Sequence, residues 1–166
     1  MAVLVVVIAV GYRGFGSETT GTGTLTVNQP WPTPGETAPN FEANGLNGQE
    51  FEMPDEGTYV VSFWSGLNQG SHVAHPAFER LARDYGSEVS FAAIYVGGVP
   101  REDRMNSPYT VIQDASGELT SMYNVKRVPR IFLIKDGTVR LTLESFYEED
   151  EREIRRELES MLRDGG

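Results

Sequence analysis

Two histidines occur in this 166-residue chain, His72 and His75, and they stand three residues apart beside Ser71. Helical spacing puts residues three apart roughly on one side of a helix, so two imidazoles and a distant carboxylate could hold zinc or copper. A hydroxyl beside an imidazole also suggests an activated serine. Adjacent helical residues diverge in direction, however, and no third group or oxyanion hole accompanies the pair. Ser71 reads instead as a capping residue near a helix start, and the histidines as exposed polar residues. His72 and His75 stay as weak metal candidates, and the expected cofactor is none. Cysteine is absent. The chain can therefore form no disulfide, thiolate nucleophile, iron–sulfur cluster or cysteine-ligated zinc site of its own.

The formal net charge is −10. Nucleic-acid binding requires a basic surface that displaces counterions from phosphates, so this balance argues against it, and equally against electrostatic docking to anionic lipid. Hydrophobic residues make up 39% and charged residues 23%, the balance of a soluble globular domain rather than a disordered one. The length suffices for one domain plus a tail, with a core that needs no cross-links.

Residues 1–10 are an apolar segment, 11–34 a Gly/Thr/Pro-rich linker and 35–163 a folded domain. The run Ala2 to Val10 is too short to span a bilayer, which takes roughly 20 residues. It fits a truncated membrane anchor, a signal remnant or a buried strand, since five of its residues are Val. An apolar start, a loose tether and a compact domain suit a protein anchored with its domain outside the cytoplasm, or secreted. Arg13, just after the run, weakly opposes an outward-facing tether, and a cytoplasmic location stays open.

The domain reads as βαβ followed by ββα. Glu50 to Met53 forms the second arm of a small hairpin after Leu46-Asn47-Gly48. Tyr59 to Trp64 is a buried central strand. Ala74, Ala77, Phe78, Leu81, Ala82 and Tyr85 recur at helical spacing, with Pro76 inside and Gly86 as the stop. Val89 to Val96 is the next strand, Gly97 to Pro108 is turn-rich, Tyr109 to Gln113 is a short strand and Gly117 to Tyr123 a short helix. Asp136-Gly137 joins two β-favouring runs in a hairpin. A last helix over about Glu148 to Leu162 buries Ile154, Leu158, Met161 and Leu162. Its Glu148–Arg152, Glu151–Arg155 and Glu159–Arg163 spacings favour ion pairs on a solvated face.

Three segments together resemble thioredoxin-like proteins of the TlpA/ResA type and, more loosely, peroxiredoxins. Gly35-Glu36-Thr37-Ala38-Pro39-Asn40-Phe41 with Gly48 is similar to their opening hairpin. Val60-Val61-Ser62-Phe63-Trp64-Ser65-Gly66-Leu67-Asn68-Gln69-Gly70-Ser71 with Pro76 resembles the strand, active-site turn and kinked helix. Tyr123 to Ile134, with Val128-Pro129 and then Asp136-Gly137, resembles the segment bearing a cis-proline beside the active site. The resemblance implies an α/β fold, a central mixed sheet with helices on both faces and an N-terminal hairpin. In proteins of the TlpA/ResA type a Cys-x-x-Cys opens the kinked helix, its second Cys five residues before the proline. Counting back from Pro76 puts Asn68 and Ser71 at the two positions, and Arg130 follows the proline where Thr is common.

Thiol–disulfide exchange needs an attacking thiolate and a resolving thiol, and peroxidase chemistry needs a cysteine that becomes a sulfenic acid. An amide and a hydroxyl supply neither, so no residue here is assigned a catalytic role. The resemblance leaves a peptide-binding groove made of Trp64, Leu67, Asn68, Gln69, Gly70, Ser71, Arg127, Val128, Pro129 and Arg130. A partner protein or extended peptide could pair its backbone there. The expected function is a redox-inactive, membrane-tethered interaction or assembly module. The alternatives are a redoxin-like enzyme with a degenerate site and metal binding through His72 and His75.

Overall fold

The computed structural model describes residues 32–164. Strand β3 (Thr58–Trp64) is buried along its whole length. A strand buried on both sides must carry apolar side chains in both directions, and this one does. Val60 and Trp64 enter one core. Tyr59, Val61 and Phe63 enter the other. Ser62 is the polar exception. Its hydroxyl accepts the Trp64 indole N–H and donates to the Ala92 carbonyl at 3.1 Å, so its burial leaves nothing unpaired.

β3 pairs in parallel with β4 (Ser90–Tyr95) and antiparallel with β6 (Arg130–Lys135). β5 (Thr110–Gln113) adds in parallel outside β4, and β7 (Thr138–Leu143) antiparallel outside β6. The sheet order is β5-β4-β3-β6-β7. The β6–β7 turn is the expected Asp-Gly turn, with φ of 48° at Asp136 and 72° at Gly137. Two positive φ values in a two-residue loop match the twist of a hairpin, which is why Gly is needed there.

Helices α1 (Gln69–Tyr85) and α4 (Glu148–Arg163) cover the Trp64 face, burying Phe78, Leu81, Ile154, Leu158 and Met161. Arg80 pairs with Glu151 at 2.6 Å, and Arg155 bridges Glu151 and Asp84, tying the two helices together at their rim. On the opposite face lie helix α3 (Glu118–Met122) and the hairpin of β1 (Glu42–Asn44) and β2 (Glu50–Glu52). Phe41, Phe51 and Tyr123 pack there as an aromatic group. The hairpin turn also covers the β5 edge, where Leu46 N donates to the Val111 carbonyl at 2.7 Å. An unpaired edge invites association, so this contact closes part of a liability.

Two local expectations need correction. Ser71 does not cap α1. The helix begins one turn earlier, with Asn68 at the cap and its side chain accepting from Ser71 N at 3.1 Å. The turn-rich stretch before β5 also holds a short helix, α2 (Asp103–Asn106). The apolar run and nearly all of the linker lie outside the described residues. Where description begins, Thr33 is held by Glu36, and Gly35 N donates to the Val139 carbonyl at 2.8 Å. Among the described residues no helix is long and apolar enough to cross a membrane.

Candidate functional site

The C-terminal end of β3 delivers the chain into the turn Ser65-Gly66-Leu67-Asn68, which feeds α1. Hydrogen bonds of short sequence range set its shape. Asn68 N donates to the Ser65 carbonyl at 3.1 Å. Ser65 N donates to Ser71 Oγ at 3.2 Å. His72 Nε2 meets the Gly66 carbonyl at 2.9 Å. Asn68 therefore spends its amide oxygen on the helix end, and the buried Ser71 spends its hydroxyl on the turn. Neither is presented as a nucleophile.

The loop after α3 meets this turn. Val125 N returns to the Thr120 carbonyl at 2.9 Å. Tyr123 is buried, with its hydroxyl donating to the Pro39 carbonyl at 2.7 Å. These anchors leave Lys126 and Arg127 exposed and carry the chain through a cis Val128–Pro129 peptide into β6. A side-chain carbon added at Gly70 would stand 3.0 Å from Asn68 Oδ1 and 3.2 Å from Pro129 Cδ. The glycine lets the helix start and the proline bend touch. Asn68 and Pro129 thus meet at Gly70, with Ser71 and Val128 next to them in the chain.

The remaining site residues divide. Leu67 is 98% exposed and projects from the turn, and Gln69 is exposed beside it. Trp64, expected to offer apolar surface, is 1% exposed and belongs to the core, stacked edge-on against Phe78. Arg130 is largely engaged, paired with Glu144 and lying over the Phe132 ring.

On the other side of the turn lies a cavity of about 150 Å³, lined by residues including Trp64, Gly66, Ser71, His75, Pro100 and Asp103. Its floor holds a network that the sequence did not reveal. His75 Nε2 is 3.0 Å from Asp103 Oδ1 and 2.6 Å from the Tyr109 hydroxyl. Tyr95 donates to Asp103 Oδ2 at 2.5 Å. Asp103 is 6% exposed. The hydrogen bond to Asp103 raises the His75 pKa above its ordinary value against the opposing effect of burial. Burial pushes the Asp103 carboxyl up, but hydrogen bonds from His75 and Tyr95 outweigh it and hold the carboxyl below its usual range. Burial, then the bond to Asp103, raises Tyr95. Burial also raises Tyr109. Both phenols are neutral donors or acceptors at physiological pH.

The two histidines of the metal alternative face different partners. His72 and His75 each commit Nε2 to a different partner. Among the described residues no group of three or more His, Asp or Glu side chains is arranged to hold a metal ion.

No protein-family model matches the chain, and no curated protein matches it in sequence. Solved structures do match. A Chlorobium tepidum protein described as a thiol:disulfide interchange protein of the DsbE kind superposes with a TM-score of 0.66 at 22% identity, covering 78% of this chain and 97% of its own. The chain has a thioredoxin-like fold. The exposed lipoprotein thioredoxin Etrx1 of Streptococcus pneumoniae gives 0.59 at 20% identity, covering 75% and 99%. A secreted disulfide oxidoreductase of Mycobacterium tuberculosis gives 0.56 at 19% identity, covering 67% and 90%. In this thioredoxin-like domain the helix start that faces the cis-proline carries Asn68 and Ser71, and the whole chain lacks sulfur of the cysteine kind.

Proposed function

We propose that this domain is a redox-inactive interaction module that binds a partner protein through the groove between the Asn68 turn and the Val128–Pro129 bend. One observation carries the reading. The fold's helix start and cis-proline are in contact through Gly70, while the two positions facing them bear an amide and a hydroxyl that are already hydrogen-bonded. Electron transfer to a disulfide is chemically closed to such a site. Backbone recognition is not, because an extended segment needs only exposed main-chain groups and a shaped surface. Leu67 supplies an apolar projection on one side of the groove.

The domain sits outside the cytoplasm, tethered at a membrane by the apolar segment 1–10 or secreted. Support comes from the apolar-then-linker order of the sequence and from structural neighbours described as an exposed lipoprotein and as a secreted protein.

Site-specific cross-linking tests the groove. Photoreactive residues at Leu67 and Arg127 in the full chain should trap the same partner, and one at Arg156 on the exposed flank of α4 should not. Equal trapping at all three positions contradicts the groove, and so does turnover of a disulfide substrate by the purified chain.

A further inference from the structure

The loops on either side of the Leu67 turn carry exposed cations, although the chain as a whole is acidic. The chain carries 24 acidic and 14 basic residues. Yet the loop on one side of the turn presents Lys126 and Arg127 in succession, both exposed. Among the described residues the ion pairs occupy Arg80, Arg83, Arg130, Lys135, Arg140 and Arg155, and neither Lys126 nor Arg127. On the other side, Gly66 packs against Gly98 and Pro100, so the exposed Arg101 follows close behind. The acids nearby are largely engaged. Glu144 pairs with Arg130, and Asp103 is bound by His75 and Tyr95. Glu102 is exposed at the cavity. The first turn of α1 contains no acidic residue.

An apolar knob between cations on an acidic molecule suits one occupant. We propose that the groove binds an extended acidic segment of a partner protein, with carboxylates meeting Lys126 and Arg127 and an apolar side chain lying against Leu67. This rests on the interaction reading above and adds the partner's chemistry. Charge complementarity of this kind acts on encounter and on partner choice, suppressing basic competitors more than it adds raw affinity. The net charge of −10 works in the same direction, since it disfavours non-specific association with an acidic partner. An anionic membrane offers like charge but no strand to pair, so it is the alternative the test must separate.

The test is titration of the isotope-labelled chain with three short peptides alternating Glu, Gln or Lys with Val, and with vesicles containing phosphatidylserine. Amide shifts report the site. The Glu–Val peptide should perturb residues 66–70 and 126–130. It should bind more tightly than the Gln–Val peptide, weaken with added salt, and lose about tenfold in affinity, near 1.4 kcal/mol, in a Lys126→Glu, Arg127→Glu variant. Both positions are exposed, so that variant should fold, and an unchanged amide spectrum elsewhere checks it. A Leu67→Ser variant should weaken the Glu–Val and Gln–Val peptides alike. Equal binding of the Glu–Val and Gln–Val peptides, unmoved by charge reversal, would overturn the acidic preference and leave the groove standing. Silence at residues 66–70 and 126–130 with all three peptides would overturn both. Stronger response to vesicles than to the Glu–Val peptide would replace the protein partner with a lipid surface.

Discussion

Helix α1 opens on two regions built in opposite ways. Its first turn is held by contacts between near neighbours in the chain: Asn68 to Ser71, Ser71 to Ser65, His72 to Gly66. One turn later, His75 is held by Asp103 and Tyr109, with Tyr95 bonded to the same carboxylate. The first region is partly exposed and fixed by its own sequence. The second is buried apart from His75 and assembled by the sheet. The difference separates a surface that can change its chemistry from a scaffold that cannot. Asn68 Oδ1 accepts from Ser71 N and Ser71 Oγ accepts from Ser65 N, so the turn meets its own hydrogen-bonding needs without cysteines. The His75–Asp103 network joins α1 to the segment between β4 and β5, and losing any member leaves a buried polar group without its partner.

The largest effect should follow from breaking the second region. Asp103→Ala strips His75 and the Tyr95 hydroxyl of their common acceptor and should cost about 2–4 kcal/mol, read as a lower urea midpoint at unchanged slope. A loss below about 0.5 kcal/mol would put the network on the same footing as the surface.

The pH dependence sharpens the same contrast. His75 has a raised pKa in the folded state, so its contribution is full below the unfolded value of about 6.5 and fades as pH rises through the folded one. Asp103 has a lowered pKa, so its contribution is full above its unfolded value and fades as pH falls through the folded one. Stability from the pair is greatest between the two depleted ends. His75→Gln should flatten the decline on the alkaline side, measured by urea unfolding across neutral pH. A decline as steep in His75→Gln as in the unaltered chain would contradict the role given to the network.

The smaller effect belongs to the first turn. Asn68→Ala removes the α1 cap and should cost about 1 kcal/mol, whereas Asn68→Asp should cost little because aspartate caps as well. Equal losses in both variants would mean that Asn68 acts through something other than its cap.

This division also governs what the sequence made legible. The β3 run, the α1 stripe, the Asp136-Gly137 turn and the meeting of Asn68 with Pro129 follow from periodicity, turn chemistry and a resemblance carried by local motifs. The cap was misplaced by one turn, because Asn68 and Ser71 are both good capping residues and only the backbone at Asn68 separates them. Trp64 follows strand alternation into the Val60 core, a rule that would have placed it there. Asp103 lay unrecognised in a polar stretch, because its partners stand 8 and 28 positions away across the sheet. His75 looked like one of a metal-binding pair for the same reason. Spacing on one helix cannot report which distant carboxylate a ring nitrogen will meet.

Redox inactivity as proposed rests on Asn68 and Ser71 standing where the TlpA/ResA resemblance puts the two cysteines. Its most direct test is the Asn68→Cys, Ser71→Cys double variant, assayed beside the unaltered chain. The variant should close a disulfide between its two new thiols and reduce a protein disulfide, while the unaltered chain should do neither. A double variant whose thiols stay apart under oxidant, or an unaltered chain that reduces the substrate, would contradict it.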